Sequence, residues 1–130
     1  MIDEVLASEA DSAEKAQKLL EALPTLPLSS QVEAAQHVAN LIPNTNYAAL
    51  SHLITNALTP SDVSEVLTAD LLNRPNGLKL PLLLEVARTP GHPWRSEAKS
   101  MLELYVQQDF GADWGAWSQA VQDWLKDNPD

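Results

Sequence analysis

Leu80-Pro81-Leu82-Leu83-Leu84-Glu85-Val86-Ala87-Arg88, followed by Thr89-Pro90-Gly91-His92-Pro93-Trp94, decides how this chain is read. The first run is apolar nearly all round, and a helix with no polar face must be covered on most sides. A buried strand is the competing reading of any short apolar run. Leu forms helix better than strand and only Val86 is β-branched, which favours helix. Pro81 suits a first turn, where a backbone N–H has no intrahelical partner to lose. Thr89-Pro90-Gly91 stops the helix. Spanning a bilayer takes about 20 apolar residues, more than this run offers. Pro93 opens a second helix, along which Trp94, Ala98, Met101, Leu102 and Tyr105 recur on one face up to Val106. Two antiparallel helices joined by a short loop form an αα-hairpin, the unit that stacks into α-solenoids.

Toward the N-terminus the same punctuation repeats. Met1 to Glu9 is a short amphipathic stretch, through Ile2, Val5 and Leu6, that reads as a helical turn or a frayed end. Asp11-Ser12 offers an N-cap, and Ala13, Ala16, Leu19, Leu20 and Leu23 follow at helical spacing until Pro24 and Pro27. Ser30-Gln31-Val32-Glu33 matches a capping box, Ser30 accepting from the N–H of Glu33 and Glu33 reaching back to that of Ser30. Val32, Ala35, Val38, Ala39 and Ile42 then face inward up to Pro43. After Asn44-Thr45-Asn46, a cluster of turn formers, Tyr47, Leu50, Leu53, Ile54, Ala57 and Leu58 form one helical face. Thr59 caps the next helix with Pro60 at its first position; Val63, Val66, Leu67, Leu71 and Ala69 pack inward. Asn73-Arg74-Pro75-Asn76-Gly77 ends it, with Gly77 as a left-handed turn residue.

Past the hairpin, Asp113 caps a last helix with Trp114, Trp117, Val121, Trp124 and Leu125 on one side, and Asp127 to Asp130 is a tail. No alternating apolar run rich in β-branched residues occurs. The expectation is therefore all-α, seven main helices and no sheet: one domain over residues 1–130, with 1–10 as the frayed turn and 127–130 as the tail. The first helices of successive pairs begin about 34 residues apart, near Ser12, Asn46 and Leu80, and their partners near Ser30, Thr59 and His92, a period typical of helix-pair solenoids. An irregular helical bundle is the other arrangement these spacings allow.

The chain has 130 residues, enough for one domain. Hydrophobic residues make up 45%, so a packed core is expected rather than disorder. The formal net charge of -10 opposes nucleic-acid binding, which needs Lys and Arg against phosphates, and docking on anionic membranes. It suits a basic protein partner, or solubility alone. The absence of Cys removes disulfides, thiolate metal sites and thiol nucleophiles. No signal peptide or transmembrane run is visible. A leader cut away beforehand would leave the same sequence, so the cytoplasm stands only as the default compartment.

Pro93-Trp94-Arg95-Ser96-Glu97-Ala98-Lys99-Ser100-Met101-Leu102 is similar to the second helix of a HEAT unit, in which an Arg precedes an Ala and then a Leu at helical spacing. Asp109-Phe110-Gly111-Ala112-Asp113-Trp114-Gly115-Ala116-Trp117 resembles the closing segment of some bacterial HEAT-like arrays. Over residues 12 to 126 the chain thus resembles HEAT or armadillo-type helical repeats; the tetratricopeptide pattern fits poorly. The resemblance implies an α-α superhelix, a short solenoid of about three right-handed stacked hairpins closed by a C-terminal capping helix. It also implies a non-catalytic scaffold or protein-interaction module rather than an enzyme. Such arrays often bind along the face lined by the second helix of each unit, which here would carry Gln36, His37, Asn40, Glu65, Thr68, Arg95 and Lys99; an ordinary solvated face is the bland alternative. An enzyme using a groove in the stack, and a passive fragment of a longer array, remain the competing functions.

Catalytic and metal signatures are thin. Glu33 and His37 can meet one turn apart, yet a metal needs several converging ligands, and the His-Glu dipeptide of some HEAT-like metalloenzymes does not occur. Ser96-Glu97-Ala98-Lys99 and Ser12-Ala13-Glu14-Lys15 match Ser-x-x-Lys without the companion motifs of penicillin-binding enzymes. The four Gly form no phosphate loop. No cofactor is expected. The charge also disfavours a HEAT-like DNA glycosylase. Four Trp are the most specific feature, either as a sealed end of the stack or as an aromatic binding surface.

Overall fold

Residues 1–130 form, in the computed structural model, eight α-helices and two 3-10 segments, with no strand. The fold is all-α. Helix α1 (Ile2–Ala7) buries Ile2, and Lys15 Nζ donates to the Leu6 carbonyl at 2.9 Å, so the first residues are docked on the body. The Asp11 carboxylate accepts from the N–H of Glu14 at 2.9 Å and starts α2 (Ser12–Ala22), as its sequence suggests. After a 3-10 turn at Leu23–Thr25 come α3 (Leu28–Leu41), a 3-10 segment Asn44–Leu50, α4 (Ser51–Thr55) and α5 (Ser61–Leu71). Then follow α6 (Asn76–Arg88), α7 (Arg95–Val106) and α8 (Trp114–Asp127).

The helices lie in two layers. One holds α2, the Asn44–Leu50 segment with α4, α6 and α8; the other holds α3, α5 and α7. Pairs α2–α3, α4–α5 and α6–α7 pack as hairpins, while α3–α5, α4–α6 and α6–α8 join neighbours within a layer. Elements of the first layer begin at Ser12, Asn44 and Asn76, those of the second at Leu28, Ser61 and Arg95. One core runs between the layers, from Leu19 and Val38 through Tyr47, Leu67 and Leu83 to Leu102 and Trp117.

Several local expectations fail, each for a physical reason. The Ser30–Glu33 capping box does not form, because α3 starts earlier. Pro27 is extended, its carbonyl accepts from the N–H of Gln31 at 2.8 Å, and Ser30 lies inside the helix. Thr59 does not cap α5 either. Its hydroxyl turns back to the Leu53 carbonyl at 2.8 Å, and Pro60 takes the cap position through its backbone. The continuous helix expected over Tyr47–Leu58 is a 3-10 segment plus the short α4. Asn56 ends α4 by accepting from the N–H of Leu58, and Leu58 is left 88% exposed.

Gly77 is not a left-handed residue. It sits in the first turn of α6, and its N–H donates to the Pro129 carbonyl at 3.2 Å as the tail folds back. Pro81 lies inside α6 rather than in its first turn, so the Gly77 carbonyl loses its usual helical donor. Ala69, read as an inward residue, is exposed. The turn after α6 does follow the sequence: Gly91 takes φ +78, where a side chain would be strained.

Candidate functional site

Two seams flank α5, and they are built differently. On the α3 side, Arg74 follows α5 and reaches back to α3. Its guanidinium donates to Asp70 Oδ2 at 3.0 Å, the Ala39 carbonyl at 2.8 Å, the Ile42 carbonyl at 3.0 Å and Asn44 Oδ1 at 2.9 Å. These carbonyls belong to the end of α3, where backbone acceptors lack helical donors. The same guanidinium lies 4.5 Å from the centre of the Tyr47 ring. The Tyr47 hydroxyl donates to Asp70 Oδ2 at 3.1 Å. Burial first, then the Asp70 charge and that hydrogen bond, hold the Tyr47 phenol well above its ordinary range.

On the α7 side, α5 stands apart, and a groove of about 570 Å³ opens between the two helices. Its surface is predominantly apolar, from Ala69 on α5, Leu72 just past its end, and Trp94, Ala98 and Met101 at α7. Glu65 and Glu97, both exposed, bring negative charge to it. The Thr68 hydroxyl and the Trp94 indole N–H are covered yet have no hydrogen-bond partner within the chain, and so is the Ser64 hydroxyl one turn before Thr68. Polar groups of the α3 seam are paired within the chain, whereas these are not. Leu104, three residues beyond Met101 on the same side of α7, is 78% exposed.

Helix α7 is aimed by His92 at its entry. This ring is 4% exposed and uses both nitrogens. Nε2 lies 2.7 Å from the Ile54 carbonyl and therefore donates, while Nδ1 accepts from the backbone N–H of Trp94 at 3.1 Å. The pairing suits the Nε2–H tautomer and ties the Trp94 wall of the groove to α4.

The seven residues of the expected partner face fall into separate places. Glu65 and Thr68 line the α5–α7 groove. Gln36 and Asn40 line a shallower groove of about 410 Å³ between α3 and α5, together with Asn73. Ala69 borders both grooves, so they adjoin. His37 is half-buried, 3.9 Å from Glu33 on its own helix. Arg95 and Lys99 point to the other side of α7, toward Ala112 and Trp114. Arg95 Nε donates to the Ala87 carbonyl at 3.1 Å, and Lys99 Nζ lies 3.8 Å from Asp109. No group of three or more His, Asp or Glu side chains converges.

The Trp residues divide as well. Trp117 is fully buried, donates to the Gly111 carbonyl at 3.0 Å and meets Phe110 edge-on at 5.1 Å. Trp124 meets Tyr105 edge-on at 5.3 Å, and Lys79, itself buried, lies 4.9 Å from the Tyr105 ring. These seal α8 onto α6 and α7, whereas Trp94 alone lines the groove.

Sequence reasoning missed Ala69, Leu72, Glu97 and Met101 as groove residues, and weighed Trp94 only as one of four Trp forming either a sealed end or an aromatic binding surface. The one available signal was a Trp set at a helix entry directly after Pro93. No helix is long and apolar enough to cross a membrane. Compared with known protein families, curated proteins and solved structures, the chain matches none.

Proposed function

We propose that this chain is a non-catalytic helical-repeat scaffold, of the kind its HEAT-like resemblance implies, that binds another protein in the groove between α5 and α7. The carrying observation is the contrast within that groove: an open apolar surface beside buried Thr68 and Trp94 polar atoms with no partner in the chain. Exposed apolar surface bordered by polar groups marks interaction sites, and Trp is enriched where binding energy concentrates. The even succession of helix pairs supports a scaffold, since stacked hairpins present extended surfaces between successive second helices.

A benzophenone-bearing residue at the position of Ser100, on the groove, should cross-link a discrete partner in the native cell. The same group at Gln119, exposed on α8, should not. Ala69→Arg should abolish the cross-link while leaving the melting midpoint within about 2 °C, as for an exposed substitution. Equal cross-linking from both positions, or indifference to Ala69→Arg, would refute the reading.

A further inference from the structure

Resting on that reading, we infer that the occupant is an extended, positively charged peptide segment, lying across α3, α5 and α7, with one large apolar side chain in the α5–α7 groove. Charge sets the first condition. Glu65 and Glu97 line the deep groove and no Lys or Arg does. The adjoining shallow groove also lacks a cation, and its one carboxylate, Asp70, is already held by Arg74. With a net charge of -10 over the chain, a segment bearing Lys or Arg is drawn in and an acidic one repelled.

Backbone conformation is the second condition. The shallow groove presents the amides of Gln36, Asn40 and Asn73, all exposed. The sole bond of the Asn73 amide, in the turn after α5, is a long 3.4 Å one to the Ala69 carbonyl at the end of that helix. A primary amide donates and accepts at once, so it matches a peptide unit whose N–H and C=O are both free. In an α-helix those groups are spent internally except at the ends. In an extended segment they are open, and amides spaced along a groove can take them. The apolar groove of about 570 Å³ then holds the large side chain. Glu65 and Glu97 receive a flanking cation.

Length follows from spacing. Packed helix axes lie about 8–10 Å apart, so crossing three helices takes about 20 Å. At about 3.3 Å per residue an extended chain covers that in roughly six to eight residues.

The test is an array of immobilised octapeptides permuting Lys, Arg, Glu and large apolar residues, probed with the whole chain. Peptides that bind are then measured free in solution by fluorescence anisotropy. Binders should pair one large apolar residue with a nearby Lys or Arg, and should tighten as salt falls from about 150 to about 50 mM. Asn40→Ala with Asn73→Ala should weaken all of them about ten-fold regardless of peptide charge, the loss expected for shared backbone hydrogen bonds. Glu65→Gln with Glu97→Gln should instead weaken only the Lys and Arg peptides, by about ten-fold, and erase discrimination against Glu. Unchanged melting of these surface variants confirms folding. Equal binding of acidic peptides, tighter binding of lactam-locked helical peptides, a neutral Asn pair, or no octapeptide binding at all would each overturn the inference. If the Ser100 cross-link still depends on Ala69 in those cases, the groove remains a partner site and only its assigned occupant falls; if that dependence is lost, both fall.

Discussion

The two sides of α5 show one helix treated in opposite ways. Toward α3, a single guanidinium engages two main-chain carbonyls, a carboxylate and an amide, and lies against an aromatic ring. Toward α7, the Thr68 hydroxyl and the Trp94 indole N–H are covered without a partner in the chain, and the helices part. A domain of this size buries only about two-thirds of its unfolded surface, so an open seam in its middle is a real loss of stabilising area. The chain has the means to fasten neighbouring helices and uses them on one side only. Rigidity on the α3 side holds one wall in place while the α7 side stays open.

Removing the clamp should have the largest effect. Arg74→Ala leaves Asp70 and the end of α3 without a cation in a largely buried setting, and should cost about 3 kcal/mol in denaturant unfolding. A loss under about 1 kcal/mol would mean the two seams are equally loose. Tyr47→Phe comes next and should cost about 1 kcal/mol at neutral pH, for the lost bond to Asp70. Its pH dependence sharpens the comparison. Above about pH 10 the unfolded chain releases the phenol proton while the folded chain, with its raised phenol, keeps it. The wild type therefore loses stability as pH rises through that range, and the gap to Tyr47→Phe should narrow between pH 7 and pH 11. A constant gap would show that Asp70 and burial do not hold the proton.

The smallest effect has the opposite sign. Thr68→Val replaces an unmet hydroxyl with a methyl of the same shape, and should raise stability by about 0.5 kcal/mol. A loss of that size would show that the hydroxyl finds a partner.

How much of this was legible from sequence depends on how local each feature is. Asp11 and Asp113 cap helices through their own side chains, three residues from the N–H they serve, and such caps read directly. Thr89-Pro90-Gly91 stops α6 where expected. Starts at Pro27, Pro60 and Pro75 were harder. There an extended proline carbonyl opens the helix with no side-chain bond, so nearby Ser and Thr attracted a role they do not have. The clamp was invisible because Arg74 sits among turn formers and its carbonyl partners lie 32 and 35 residues away. Only Asp70, one turn earlier, hinted at it. The groove left even less trace. Ala69 and Met101 carry the same periodicity whether a neighbouring helix covers them or stands off, and that distance is a tertiary outcome.

His92 turns the architecture into something observable. Its two nitrogens bridge the end of α4 and the first residue of the groove wall, so any shift of Trp94 must alter the electronic surroundings of the imidazole. Nitrogen-15 resonances of one ring thus act as a built-in strain gauge, registering occupancy of the neighbouring channel in an otherwise unlabelled binding experiment.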